Sequence, residues 1–236
     1  MANVTLVEHP KGILQRLAFA YSRKRFHTVA DPARAAARHG GVLVAFGALE
    51  TVADRGWRKL DPHLRWLAVQ AAAGAIGCSW CTDFGYFEGL QQGVDPRKVR
   101  DVATWRDSDV YDDRERAVLE YTEAATAQPA RVGQDVVERL ANHLSDEEIV
   151  ELVAWVALEN FRSRFNAGMG LRSQGFSDNC KVPDTAAPDI ASRPNDRASR
   201  VHDPATRPGD PATRPRDPAT RPSHAVTGIA EGGAAG

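Results

Sequence analysis

Nowhere in the 236-residue sequence do apolar residues run uninterrupted for the ~18 positions that a membrane-spanning helix needs. The opening stretch, Met1 to Pro10, has neither the basic start nor the apolar centre of a signal peptide, so a cytoplasmic protein is expected. A dominant charge is missing too. Thirty basic side chains meet 31 acidic ones, leaving a formal net charge of −1 and no overall field to draw the chain onto nucleic acid or an anionic membrane. The basic clusters Arg23-Lys24-Arg25 and Arg55 to Lys59 are too short and isolated to argue for nucleic-acid binding. Cysteine is scarce: three residues cannot form a disulfide scaffold, and in a reducing compartment a close pair points to redox or metal chemistry. A zinc site would need two further ligands, but there is no second Cys-x-x-Cys and no His pair at ligand spacing, so no metal is expected. Alternation of the β type, a phosphate-cradling glycine loop and a nucleophilic serine motif are also absent. With no flavin or nicotinamide site visible, no organic cofactor is expected either.

What is present is helical patterning. Apolar residues make up 42% of the chain and charged residues 26%, an ordinary balance for a globular protein. Asp31-Pro32, Asp61-Pro62 and Asp95-Pro96 each precede an apolar-periodic run, an acidic cap followed by proline at the first helical position. Ser145 to Glu148 has capping-box spacing, and Asp112 to Glu115 opens another helix. The pattern predicts helices near 10–28, 32–54, 62–76, 79–92, 96–104, 113–127, 133–143 and 146–171. Residues 1–180 therefore read as one all-α domain. After Cys180 large apolar residues almost vanish, and Asp203 to Pro208 recurs as Asp210 to Pro215 and Asp217 to Pro222. Such a segment has too little apolar surface to offset ordering entropy, so residues 181–236 are expected to be a disordered tail.

The chemistry-bearing feature is Cys78-Ser79-Trp80-Cys81, which follows the apolar helix Leu64 to Gly77 and begins the next. Unpaired N–H groups and the helix dipole favour a thiolate there, and the second thiol can trap the first product as a disulfide. Cys78, Cys81, Gly85, Gly89 and Gln92 share one helix face. Glu88 lies near that face but roughly 10 Å along the axis from Cys81. Asp83 points away and reads as a first-turn acid, and His63 as a surface residue. Gly85 and Gly89 read as sites of close approach by a helix or a substrate, Trp80 as packing, and Arg162 and Arg164 as partners for Glu159 or a neighbouring helix rather than as an anion site.

The run from Leu60 to Cys81 resembles the carboxymuconolactone decarboxylase superfamily, and more closely its alkyl hydroperoxidase D-like branch. There too a helix leads through glycine into Cys-x-x-Cys at the head of the next helix. Gly93-Val94-Asp95 with Arg97 to Val102, the segment from Ala117 to Ala124, and the run from Glu148 through Asn160 to Arg164 and Asn166 are similar to later parts of such proteins. The resemblance covers about residues 40–175 and implies an alkyl hydroperoxidase D-like helical bundle and a homo-oligomer.

It also implies a peroxidase-type cycle in which Cys78 and Cys81 reduce a hydroperoxide or disulfide and a separate thiol donor restores them. Peroxidase-type members carry a Glu twelve residues before the first cysteine and a His four after the second, forming a proton relay. Here those positions hold Trp66 and Gly85, neither of which can carry a proton. The resemblance makes Cys81 the attacking thiol, whereas position at the helix start favours Cys78, and the sequence leaves this open. Two rivals stand beside the thiol oxidoreductase. One is a non-catalytic redox sensor, and the other is a lyase of the superfamily's decarboxylase branch, against which the cysteine pair counts.

Overall fold

The structure, a computed structural model, describes residues 2–179; Cys180 and the tail expected over 181–236 lie outside the described residues. The chain divides into two units, Met1–Arg193 and Pro194–Gly236, and every described residue belongs to the first. Among the described residues there are nine α-helices and no strand. They are α1 (Ile13–Phe26), α2 (Asp31–Ala36), α3 (Gly40–Gly56), α4 (Pro62–Ile76), α5 (Ser79–Gln91), α6 (Pro96–Asp101), α7 (Asp113–Thr126), α8 (Gln134–Ala141) and α9 (Asp146–Gly168). Short 3-10 turns follow at Val102–Asp107 and Ser177–Asn179.

Helix α4 is the centre of the bundle because it is apolar almost all round. It buries Leu64, Trp66, Leu67, Ala68, Gln70 and Ala71 to Ala73, and packs against α5, α7 and α9. Its alanines let those neighbours come close, while Leu119, Leu140, Leu152 and Trp155 fill the space between them. Asp61 starts α4 by accepting the N–H groups of His63 and Leu64 at 2.8 and 3.4 Å. Gly77 stops it in the left-handed region at φ 80°, which lets the N–H groups of Gly77 and Cys78 both return to Ala73 O. This turn places Cys78 at the cap of α5.

Asp95 caps α6 as expected, and Asp112 with Glu115 and Ser145 with Glu148 form capping boxes. Asp31 does not cap. It is the first residue inside α2 and meets Arg34, and the cap position is Ala30. The single helix expected over 32–54 is in fact two. The His39 side chain accepts the N–H of Val42 and starts α3 afresh, an imidazole doing what serine or aspartate usually does. The helix expected over 96–104 tightens to 3-10 geometry after Asp101, and α9 ends at Gly168 rather than 171.

Candidate redox-active site

Cys78 and Cys81 are joined by a disulfide, their Cα atoms 5.3 Å apart, within the range such a bond spans. The two elements that meet at this point supply different contacts. From α5 itself, Cys81 N–H donates to Cys78 Sγ at 3.2 Å, so the first sulfur is the helix cap. From α9, Ser163 Oγ lies 3.2 Å from Cys81 Sγ, and Asn166 Nδ2 lies 3.3 Å from Cys81 Sγ and 3.8 Å from Cys78 Sγ. Ser163 also donates to Glu159 Oε1 at 2.6 Å. Burial pushes the Glu159 carboxyl up to about 7, against the opposing pull of Arg162 and of the Ser163 hydrogen bond. Arg162 places its fork on Glu50 of α3 and reaches Glu159 Oε2 with one nitrogen at 3.3 Å.

The sulfurs are covered. Cys78 is 3% exposed and Cys81 6%, in an apolar cluster with Ala30, Ala73, Trp80 and Phe176, against which Phe26, Phe84 and Phe87 pack. The ring of Phe176 lies edge-on to Phe84 and Trp80, at 5.2 and 5.8 Å between centroids. Asp83 holds this cover in place. Its carboxylate accepts the N–H groups of Gln174 (2.9 Å), Phe176 (3.1 Å) and Ser177 (2.8 Å), and the Ser177 hydroxyl (2.6 Å). Burial alone would raise the Asp83 pKa, but the hydrogen bonds from Ser177, Phe176 and Ser173 outweigh it and hold the carboxyl below its ordinary value.

With this geometry in view, the kinship of the chain can be read from sequence and fold together. Residues 34–124 match the carboxymuconolactone decarboxylase family. The uncharacterized protein YnjA of Escherichia coli (strain K12) is 34% identical over 131 residues, 56% of this chain and 70% of that protein. The chain belongs to the carboxymuconolactone decarboxylase family. Among solved structures, a protein of unknown function from Agrobacterium tumefaciens, described as a candidate antioxidant defence protein AhpD, is 28% identical with a TM-score of 0.52, covering 55% of this chain and 88% of that one. The debrominase Bmp8 in its apo form superposes with a TM-score of 0.67 at 23% identity, covering 75% and 94% of the two chains. Its likeness is one of fold. Within the carboxymuconolactone decarboxylase family the chain falls in the alkyl hydroperoxidase D-like branch.

Positions 66 and 85, where the resemblance leads one to expect a proton relay, are in contact with each other here. The Trp66 indole lies against α5 and donates to Gly85 O at 2.8 Å. A Cβ added at Gly89 would stand 2.6 Å from the same indole, and one at Gly85 would stand 1.5 Å from Gln70 Nε2. The glycine face of α5 therefore receives Trp66 and Gln70 of α4. Of the residues singled out in the sequence, the structure brings Cys78, Cys81 and Trp80 together. It leaves Glu88 paired with Arg25 of α1 at 3.6 Å, and His63 exposed. Asp83 is not a first-turn acid: α5 begins at Ser79, which puts Asp83 in the second turn, and its partners come from residues 174–177. Glu159, Ser163 and Asn166 join the site from α9, where the sequence pattern does not single them out. Their signal was present all the same. They continue the buried seam of α9 through Leu152 and Val156 at helical spacing, and polar residues on a core seam call for a partner.

Proposed function

We propose that the chain is a cytoplasmic thiol-dependent oxidoreductase in which Cys78 and Cys81 cycle between dithiol and disulfide while reducing a hydroperoxide. The observation that carries this reading is the cysteine pair itself, bonded at the head of α5 with hydrogen-bonding groups of α9 against Cys81 Sγ. A thiolate at such a point is stabilised by N–H donors and the helix dipole. Two thiols and ROOH give the disulfide, ROH and water, and a dithiol donor then restores the pair by exchange. The aromatic cluster around the sulfurs favours an organic hydroperoxide over hydrogen peroxide. A homo-oligomer is part of the same reading, supported by the exposed apolar side chains Ile13, Leu14, Leu17 and Tyr21 on α1, which a second copy would cover.

The rings of Trp80, Phe84, Phe87 and Phe176 also favour a second oxidant class, a halogenated ring. Fold likeness to a debrominase points the same way. There two thiols would convert a carbon–bromine bond to carbon–hydrogen with release of bromide and a proton. Cumene hydroperoxide and a brominated pyrrole, each offered with excess dithiol, separate the two. The expected result is many turnovers on the hydroperoxide, abolished in the Cys78→Ser/Cys81→Ser protein. Consumption that survives loss of both cysteines would end the thiol reading. A single equivalent oxidised without turnover would make the protein a sensor.

A further inference from the structure

We infer that Ser163 and Glu159 of α9 form the proton relay of Cys81, standing in for the two positions filled by Trp66 and Gly85. This rests on the thiol reading above and goes beyond it in naming the base and the attacking sulfur. Ser163 Oγ lies between the two groups, 3.2 Å from Cys81 Sγ and 2.6 Å from Glu159 Oε1. One hydroxyl has one proton and two acceptor lone pairs. When Glu159 is ionised, that proton is given to the carboxylate, and a lone pair is left facing Cys81 to take the thiol's proton. When Glu159 is protonated, the polarity reverses and Ser163 can return a proton to the sulfur. Ser163 is completely buried and Glu159 is 2% exposed, so bulk water cannot easily do this work.

The charges around Glu159 fit a base better than a structural ion pair. A structural pair would put the Arg162 fork on Glu159, but the fork is spent on Glu50 of α3. Glu88 of α5 feels the charges of this Arg162–Glu50 pair, and with them those of Arg25 of α1 and Arg65 of α4. Glu159 is left buried beside one guanidinium nitrogen, with its proton affinity raised into the neutral range where a general base is most useful. Asn166 supports the same assignment. Its Nδ2 faces both sulfurs, while its Oδ1 is buried with no hydrogen-bond partner among the described residues. In the dithiol, a turned amide would offer that oxygen to an S–H.

The steps balance. Cys81–SH passes its proton to Ser163 as Ser163 passes its own to Glu159. The thiolate attacks the terminal oxygen of ROOH, the O–O bond breaks, and Cys81–SOH forms with RO⁻, which is quenched by the proton held on Glu159. Cys81 sulfur is oxidised and the peroxide reduced by two electrons. Cys78–SH then condenses with Cys81–SOH, releasing water. On reduction by an external dithiol, attack falls on Cys78 Sγ, and Cys81 leaves as a thiolate that the relay protonates.

The test is single-turnover oxidation of the reduced full chain by cumene hydroperoxide across pH. Ser163→Ala and Glu159→Gln should each slow the reaction at pH 7 by about 10²-fold, the scale of a lost general base. In Glu159→Gln the limb that rises near neutrality should move up toward the range of an unassisted thiol, and Ser163→Thr, which keeps the hydroxyl, should restore most of the rate. A purely structural loss would lower the rate without moving the limb. A second readout is independent of peroxide: thiolate absorbance in a Cys78→Ser background should titrate in two coupled steps, merging to one when Glu159→Gln is added. Unchanged rates and limbs in variants of a protein whose double cysteine variant is inactive would overturn the relay and leave the thiol reading intact. No oxidation of the wild type, with coupled titration preserved, would remove the oxidant class and leave the relay. Superimposable titrations would overturn it.

Discussion

Gly89→Ala should destabilise the fold by about 3 kcal/mol, even though alanine is the better helix former by about 1 kcal/mol. The added methyl would stand 2.6 to 2.7 Å from three atoms of the Trp66 indole, which is a rigid ring only 4% exposed. To make room the ring must tilt, which strains the packing of α4 on α5. The tilt also pulls the indole N–H off Gly85 O, orphaning a buried donor. Gly74→Ala is the control. That glycine sits inside a helix too, α4, but its added methyl meets nothing within 4 Å, so helix propensity acts alone and a gain of about 0.5–1 kcal/mol is expected. The two substitutions should shift the denaturant midpoint in opposite directions. A neutral Gly89→Ala would show that the close approach of Trp66 is not what this position requires. By the same geometry, Gly85→His should not be accommodated unless Gln70 moves, because Gln70 Nε2 occupies the path of the new side chain.

What could be read from the chain beforehand was what is decided locally. Asp61, Asp95, Asp112 and Ser145 mark helix starts because capping is a contract between residues two or three apart. The cysteine pair at the head of α5 was legible for the same reason, and so was the glycine stop before it. His39 was not, since imidazole is an uncommon cap and the alanine-rich stretch around it fits a continuous helix. The site's other half was hidden by distance along the chain. Ser163 and Asn166 stand more than 80 positions from the cysteines they touch, and which seam of α9 faces α5 is settled by packing rather than by spacing. Asp83 is hidden in the same way: counting from the cysteines suggests a first-turn acid serving its own helix, whereas it stands in the second turn of α5 and serves residues 174–177.

That long-range role gives Asp83→Ala its expected effect, an increase of at least about tenfold in the rate at which a phosphine reduces the Cys78–Cys81 disulfide. The substitution removes the acceptor for four hydrogen bonds at once, leaving the N–H groups of Gln174, Phe176 and Ser177 without it. Each orphaned donor costs about 1–3 kcal/mol if it stays buried, so the segment should instead open to water and carry Phe176 off the aromatic cluster. Opening made easier by about 1.4 kcal/mol is already a tenfold gain in the accessible population. A phosphine is the suitable probe because its attack does not need a thiolate on the protein, which allows the measurement to be carried into acid. There the wild type should follow the variant. Asp83 is held below its ordinary value of 3.8, so its stabilisation of the cover is complete above that value and fades as pH falls through the lower folded value. Rates normalised to a small-molecule disulfide should therefore stay separated from neutrality down to about pH 4 and converge below it. Circular dichroism should show the helices of the variant unchanged at neutral pH, since Asp83 and its partners lie at the edge of α5 rather than among α4, α7 and α9. Equal reduction rates at neutral pH would mean that the sulfurs are reached by another route, and the segment from Gln174 to Ser177 would lose its role as their cover.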